Sequence, residues 1–125
     1  MSTEESGTSR HSWPWPDSLD ALVAAPDNHT VLFENELVRV VHTRILPGTI
    51  VPVHTHRWPC VLLIMTWSDL VRLDPEGNIL LDTRRTEAPK LNTPSWQESL
   101  PPHSVKNVGP GEINTVQVEI KEQHS

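Results

Sequence analysis

Two histidines, His54 and His56, stand one residue apart in the string Gly48-Thr49-Ile50-Val51-Pro52-Val53-His54-Thr55-His56. The segment is rich in β-branched residues and reads as extended, and on an extended chain the side chains at i and i+2 point to the same side. Two imidazoles on one side can meet at a single point, as a metal ion requires of nitrogen ligands. A third histidine, His103, follows Pro101-Pro102 where a turn enters a strand, and Asn107, Val108 and Gly109 come soon after. In a chain with 7 histidines a lone His-x-His carries little information. Joined to Gly48 upstream and to His103-x-x-x-Asn107 downstream, the signal becomes much stronger and makes room for a metal site. His42 falls in a strand and reads as a surface or core residue. His11, His29 and His124 lie in leader, turn and tail, and no role is assigned to them.

Other residues can shape a pocket around such an ion. Arg39, Arg44, Arg57 and Arg72 are spread over predicted strands and loops, and any one facing inward would bind a carboxylate through its planar fork. Trp58 and Trp96 would supply an aromatic wall or lid. Cys60, Arg39 and Trp96 are the pocket candidates carried forward. No Ser-His-Asp or Cys-His order suggests a nucleophile, and the 5 glycines form no phosphate loop.

The elements that must position these residues follow from composition and pattern. The chain has 125 residues, enough for one domain, and is 36% hydrophobic and 21% charged. Its 12 prolines are roughly twice the average share of about 5%, which disfavours a helical bundle. Residues 1–12 read as a flexible leader, and 13–30 as a Trp/Pro strap followed by a short helix of about two turns that Pro26 stops. Strands are predicted at Val31–Phe33, Leu37–Ile45, Ile50–Val53, Cys60–Trp67, Leu70–Leu73, Ile79–Asp82 and Asn114–Ile120. Asp74-Pro75-Glu76-Gly77-Asn78 has the composition of a hairpin connection, and Thr83 to Ser95 is polar and ambiguous. The last strand alternates, with Val116, Val118 and Ile120 on one face and Thr115, Gln117 and Glu119 on the other. The stretch Cys60 to Met65 is apolar throughout, so both its faces should be covered, one of them by a second subunit in a homodimer. Many short strands separated by turn signals predict an all-β sandwich or barrel over residues 31–122, with a tail at 123–125.

Several partners and compartments are disfavoured. The net charge of −6 and the lack of Lys/Arg clusters argue against nucleic acid. The longest apolar run is far short of the about 20 residues a membrane span needs. With no signal-like start and a single cysteine, the chain reads as cytoplasmic.

Gly48, five residues and then His54-Thr55-His56 resemble the first half of the first cupin motif, and His103 to Asn107 the end of the second. Glu34-Asn35-Glu36-Leu37-Val38-Arg39-Val40, Pro47-Gly48 and Asn107-Val108-Gly109 are similar to small single-domain cupins of the RmlC-like, β-alanine degradation type. The resemblance spans roughly Phe33 to Lys121. It implies a jelly-roll β-barrel of six to eight strands with His54, His56 and His103 as metal ligands in its mouth, and an iron, zinc, nickel, copper or manganese ion as cofactor. Cys60 and Val61 stand where the first motif places its glutamate, and Glu98 and Leu100 where the second has proline and glycine. Three imidazoles with open positions, a fourth ligand from the Cys60 thiolate, and an empty site are therefore the alternatives. Cys60 is expected to face the site without ligating, because its apolar neighbours do nothing to stabilise a thiolate. The function implied is a metal-dependent reaction on a small organic acid or related metabolite, of dioxygenase or isomerase type. The alternative is a non-catalytic small-molecule-binding or accessory cupin of a catabolic pathway.

Overall fold

The computed structural model describes residues 13–121, so the expected leader and tail, with His11 and His124, lie outside the described residues. Nine strands form in the order β1 (His29–Glu34), β2 (Val38–Ile45), β3 (Ile50–His54), β4 (Cys60–Thr66), β5 (Leu70–Leu73), β6 (Ile79–Asp82), β7 (Ser95–Gln97), β8 (His103–Asn107) and β9 (Ile113–Ile120). They make a five-stranded sheet ordered β1-β2-β9-β4-β7 and a four-stranded sheet ordered β3-β8-β5-β6. All pairings within the two sheets are antiparallel. This is the all-β jelly roll expected, built as two facing sheets with one or more strands beyond the six to eight implied. The helix of two turns is shorter than expected. A 3-10 turn at Asp17–Leu19 leads into a four-residue helix, Ala21–Ala24, and no side chain caps either. The residue that follows β3 holds this segment instead: Ala21 N donates to Thr55 O and Thr55 N to Leu19 O.

The sheets face each other across one cavity, to which both contribute side chains. Its apolar floor is the core itself, where Ile45, Val51, Leu70, Val105 and Ile113 are buried together with Trp67 and Leu81 packed against them. Burial of these side chains contributes about 1.5–3 kcal/mol each. Turn chemistry follows the composition of the loops. Asp74 Oδ1 accepts from the amides of Glu76 and Asn78, and Gly77 has φ +91°, which side-chain-bearing residues rarely adopt. The ambiguous 83–95 stretch begins with a 3-10 turn at Thr83–Arg85 that Asp82 caps through its side chain. No helix among the described residues is long and apolar enough to cross a membrane.

Candidate metal centre

A register shift in β3 builds the site. Ile50 and Val51 pair with Lys106 and Val105, but His54, rather than Val53, pairs with His103. The extra residue is a β-bulge. Without it Val51 and His54, three apart, would face opposite sides of the sheet; with it both face the cavity. Pro52 lies inside the bulge, where a missing N–H costs no ladder bond, and its carbonyl accepts from His54 Nδ1 at 2.8 Å. Asn107, the last residue of the second motif, anchors the other end. Its buried amide donates to the carbonyls of Ile45 and Gly111, and its backbone bonds Gly48 N and Thr49 O. The motif glycine at Gly48 sits in this turn at φ +76°.

His54 and His56 meet as their spacing predicts, with ring centroids 5.4 Å apart. His103 lies against His54 at 4.7 Å. The residue missed is His29. It does not lie in a turn but opens β1, opposite Thr43, and is buried with its ring 4.9 Å from His54 and 5.2 Å from His56. One ring nitrogen from each of His29, His54 and His56 lies within 4.8 Å of the other two. His103 stands beside this trio, next to His54. The only local signal for His29 was its place just before a β-branched run.

Each of the four imidazoles is oriented in the same way. Nδ1 of His29 bonds Ala25 O at 2.9 Å, Nδ1 of His54 bonds Pro52 O, and Nδ1 of His103 bonds Pro101 O at 2.7 Å. A carbonyl only accepts, so Nδ1 carries the proton and Nε2 keeps its lone pair. Burial, with His56 nearby, pushes His29 down to about 4 and His54 down to about 2. His103 is pushed down to about 4 by burial, with Arg72 adding to the effect. At neutral pH these three rings are uncharged, the form that ligates a metal.

The fourth ring is held by a carboxylate. His56 Nδ1 bonds Glu119 Oε2 at 2.7 Å, and Glu119 Oε1 accepts from Arg39 Nε at 2.5 Å. Arg39 in turn forks onto both oxygens of Asp20, at 3.0 and 3.1 Å. Burial opposes charge on Arg39, but its bonds to Asp20 and Glu119 outweigh that and hold its pKa above the ordinary value. Asp20 is likewise pushed up by burial and, more strongly, held down by Arg39 and Arg57. This chain of charges turns Nε2 of His56 toward the other rings. A carboxylate bonded to the outer nitrogen of a ligand histidine is a recurrent feature of metal sites. Donor type, ring orientation and protonation therefore all fit a transition metal.

The pocket candidates separate. Cys60 lines the cavity, and burial, then Glu119, pushes its thiol up to about 12, so it faces the site as a neutral thiol. Arg39 is not in the wall: its guanidinium is consumed by Asp20 and Glu119 behind His56 and lies 4.9 Å over the Trp58 ring. Trp96 also lies outside the wall, 54% exposed, with its indole N–H on Glu98, whereas Trp58 does line the cavity. His42 faces away and bonds Asn114 Oδ1. Glu119 was read as a residue of the polar strand face, and nothing in the alternation separates that face from a solvated one. It pairs across the ladder with Cys60. A carboxylate thus exists at the level of the missing motif glutamate, on the neighbouring strand.

Comparison with solved structures agrees with this architecture. A cupin domain from Bordetella pertussis Tohama I is 28% identical, with a TM-score of 0.60 over 75% of this chain and 92% of that one. The fold is the cupin fold. Two further cupin structures are similar at lower scores. An RmlC-like protein with a double-stranded β-helix from Methanocaldococcus jannaschii is 13% identical, TM-score 0.49, over 74% of this chain and 77% of that one. A cupin superfamily protein from Desulfitobacterium hafniense is 14% identical, TM-score 0.48, over 91% and 97%. No family model and no curated protein matches the chain. None of the comparisons supports the narrower likeness to β-alanine degradation proteins.

Proposed function

We propose that this protein is a metal-binding cupin that acts on a small organic acid or related metabolite, with the ion held by His54 and His56 together with His103 and His29. The observation that carries this reading is the common orientation of four imidazoles, three buried and His56 half-buried, each with Nδ1 bonded outward and Nε2 left as a ligand. The fold of the Bordetella cupin domain supports it. A bound transition metal supplies Lewis-acid or redox chemistry at open coordination positions. The residues of this chain orient the ligands, exclude water with an apolar floor and bind the acid. The protein is further proposed to be a cytoplasmic homodimer.

Metal analysis of untagged purified protein tests the reading and should return about one transition metal per chain. His56→Ala should lower that content severely. Cys60→Ser should leave it near wild type, since the cysteine side chain is shorter than the glutamate whose place it takes and does not reach an ion set by the imidazoles. Metal-free wild-type protein, or severe metal loss in Cys60→Ser with the fold retained, would contradict the assignment. Oxygen uptake over a panel of small carboxylic acids then separates a dioxygenase from a binding protein without turnover.

A further inference from the structure

Most arginines of the described chain have an acidic partner. Arg39 is paired with Asp20 and Glu119, Arg44 with Glu112, Arg57 with Asp17, and Arg84 and Arg85 with Asp82. Arg72 has none among the described residues. It lies on β5 opposite Val105, one inward position along β8 from His103, and its side chain lines the cavity. Its Nε is buried without a hydrogen-bond partner. Burial lowers its pKa, as expected of a guanidinium that has lost water and gained no counter-charge. Nearby carboxylates are committed elsewhere: Glu119 to Arg39 and His56, Glu98 to Trp96, and Asp74 to its own turn.

We propose that Arg72 is the anion subsite of this cavity and receives the carboxylate of a small organic acid. A half-buried guanidinium whose Nε is shut away from water without a partner is costly, and a carboxylate supplies both the missing charge and a fork-on-fork pair of hydrogen bonds. A second wall atom is in the same condition: Thr115 Oγ1 is buried without a partner and lines the cavity from the opposite sheet. It is a hydrogen-bond partner for a second polar group of the ligand. Leu62, Ile64, Leu70 and Leu81 give the wall apolar stretches beside the histidines, Gln97 and Glu98. The cavity measures about 200 Å³. Charge and size together select a small acid with one carboxylate at Arg72. This inference deepens the function proposed above and relies on it only for what happens to the acid beside the histidines.

Calorimetric titration of the full chain with butyrate, lactate and benzoate, and with butyramide and benzamide as neutral counterparts, tests the proposal. Titrations are run on chelator-stripped and on zinc-loaded protein. At least one acid should bind the stripped protein, and its amide about tenfold more weakly or worse. Arg72→Gln should weaken binding of that acid about tenfold or more, while Arg44→Gln, at an exposed pair, should not change it. Arg72→Met provides the check on folding: with the unpaired charge removed it should melt at or above the wild-type temperature and still fail to bind. Equal affinity in wild type and Arg72→Gln, or no binding of any of the three acids, overturns the subsite. If the acid binds through Arg72 yet no transition metal accompanies the protein, the metal reading fails and the subsite stands. If metal is present and acid binding ignores Arg72, the reverse holds.

Discussion

Glu119 is a fully buried carboxylate with a ring N–H on one oxygen and a guanidinium on the other. Its role at the site is to fix the tautomer and direction of His56, and its role in the fold is to neutralise Arg39. These roles are separable. Glu119→Gln should weaken metal affinity by roughly 10–100-fold, as loss of outer partners of ligand histidines does. It should also destabilise the protein by about 3–5 kcal/mol, because Arg39 then carries a charge only partly compensated in the interior. Removing the rest of the network as well, with Arg39→Met and Asp20→Asn, should recover stability without recovering metal affinity. Competition with a chromogenic chelator and urea unfolding measure the two effects. Recovery of both would show that Glu119 acts only through packing. At this scale the shared side of His54 and His56 was legible from spacing, and the motif put His103 near them. His29 and Glu119 were not, because nothing local distinguishes a histidine or glutamate that meets the site from one that meets water.

Alternation on β9 illustrates what an element hides. Thr115, Gln117 and Glu119 face inward, with Thr115 and Gln117 in the cavity wall, while Val116, Val118 and Ile120 lie half-buried on the outer side. The usual assumption that the apolar face is the inner one is inverted here, since a ligand cavity rather than a solid core fills the space between the sheets. Strand bounds fared better: Leu70–Leu73 and Ile79–Asp82 form as predicted, and β2, β4 and β9 differ by a residue at one end. β7 was missed because three residues, two of them exposed, carry no pattern. The loop after β8 depends on a close approach rather than on pattern. A Cβ at Gly109 would lie 2.1 Å from Ser68 Oγ and 2.9 Å from Asp69 N. Rotation of Ser68 relieves the first contact, but the second is backbone. Gly109→Ala should therefore cost about 1–3 kcal/mol in urea unfolding. A neutral result would mean that the loop yields freely, even though the amides of Val108 and Gly109 both bond Asp69 O.

Across the whole molecule, the outer face of the five-stranded sheet is apolar over adjacent strands. Val40, Val118 and Val61 line up across β2, β9 and β4, and Leu63 stands beside Val116. These side chains are only half-buried within one chain. A contiguous apolar face of this kind is the basis for proposing a homodimer. Light scattering should give about twice the 14.1 kDa chain mass, and Leu63→Lys should lower it to the monomer value with metal content retained. A wild-type mass near that of one chain across micromolar concentrations would refute the dimer. By itself the sequence determined the all-β class, the turns and the shared side of His54 and His56, because period and turn chemistry act between residues a few positions apart. Only the tertiary structure decided that a bulge would set His54 against His103, that His29 would join them from β1, and that Glu119 and Arg39 would stand behind His56. Only it decided which arginine would find no counter-ion among the described residues. Those outcomes depend on which strands become neighbours and in what register, and neither is a property of any local stretch of chain.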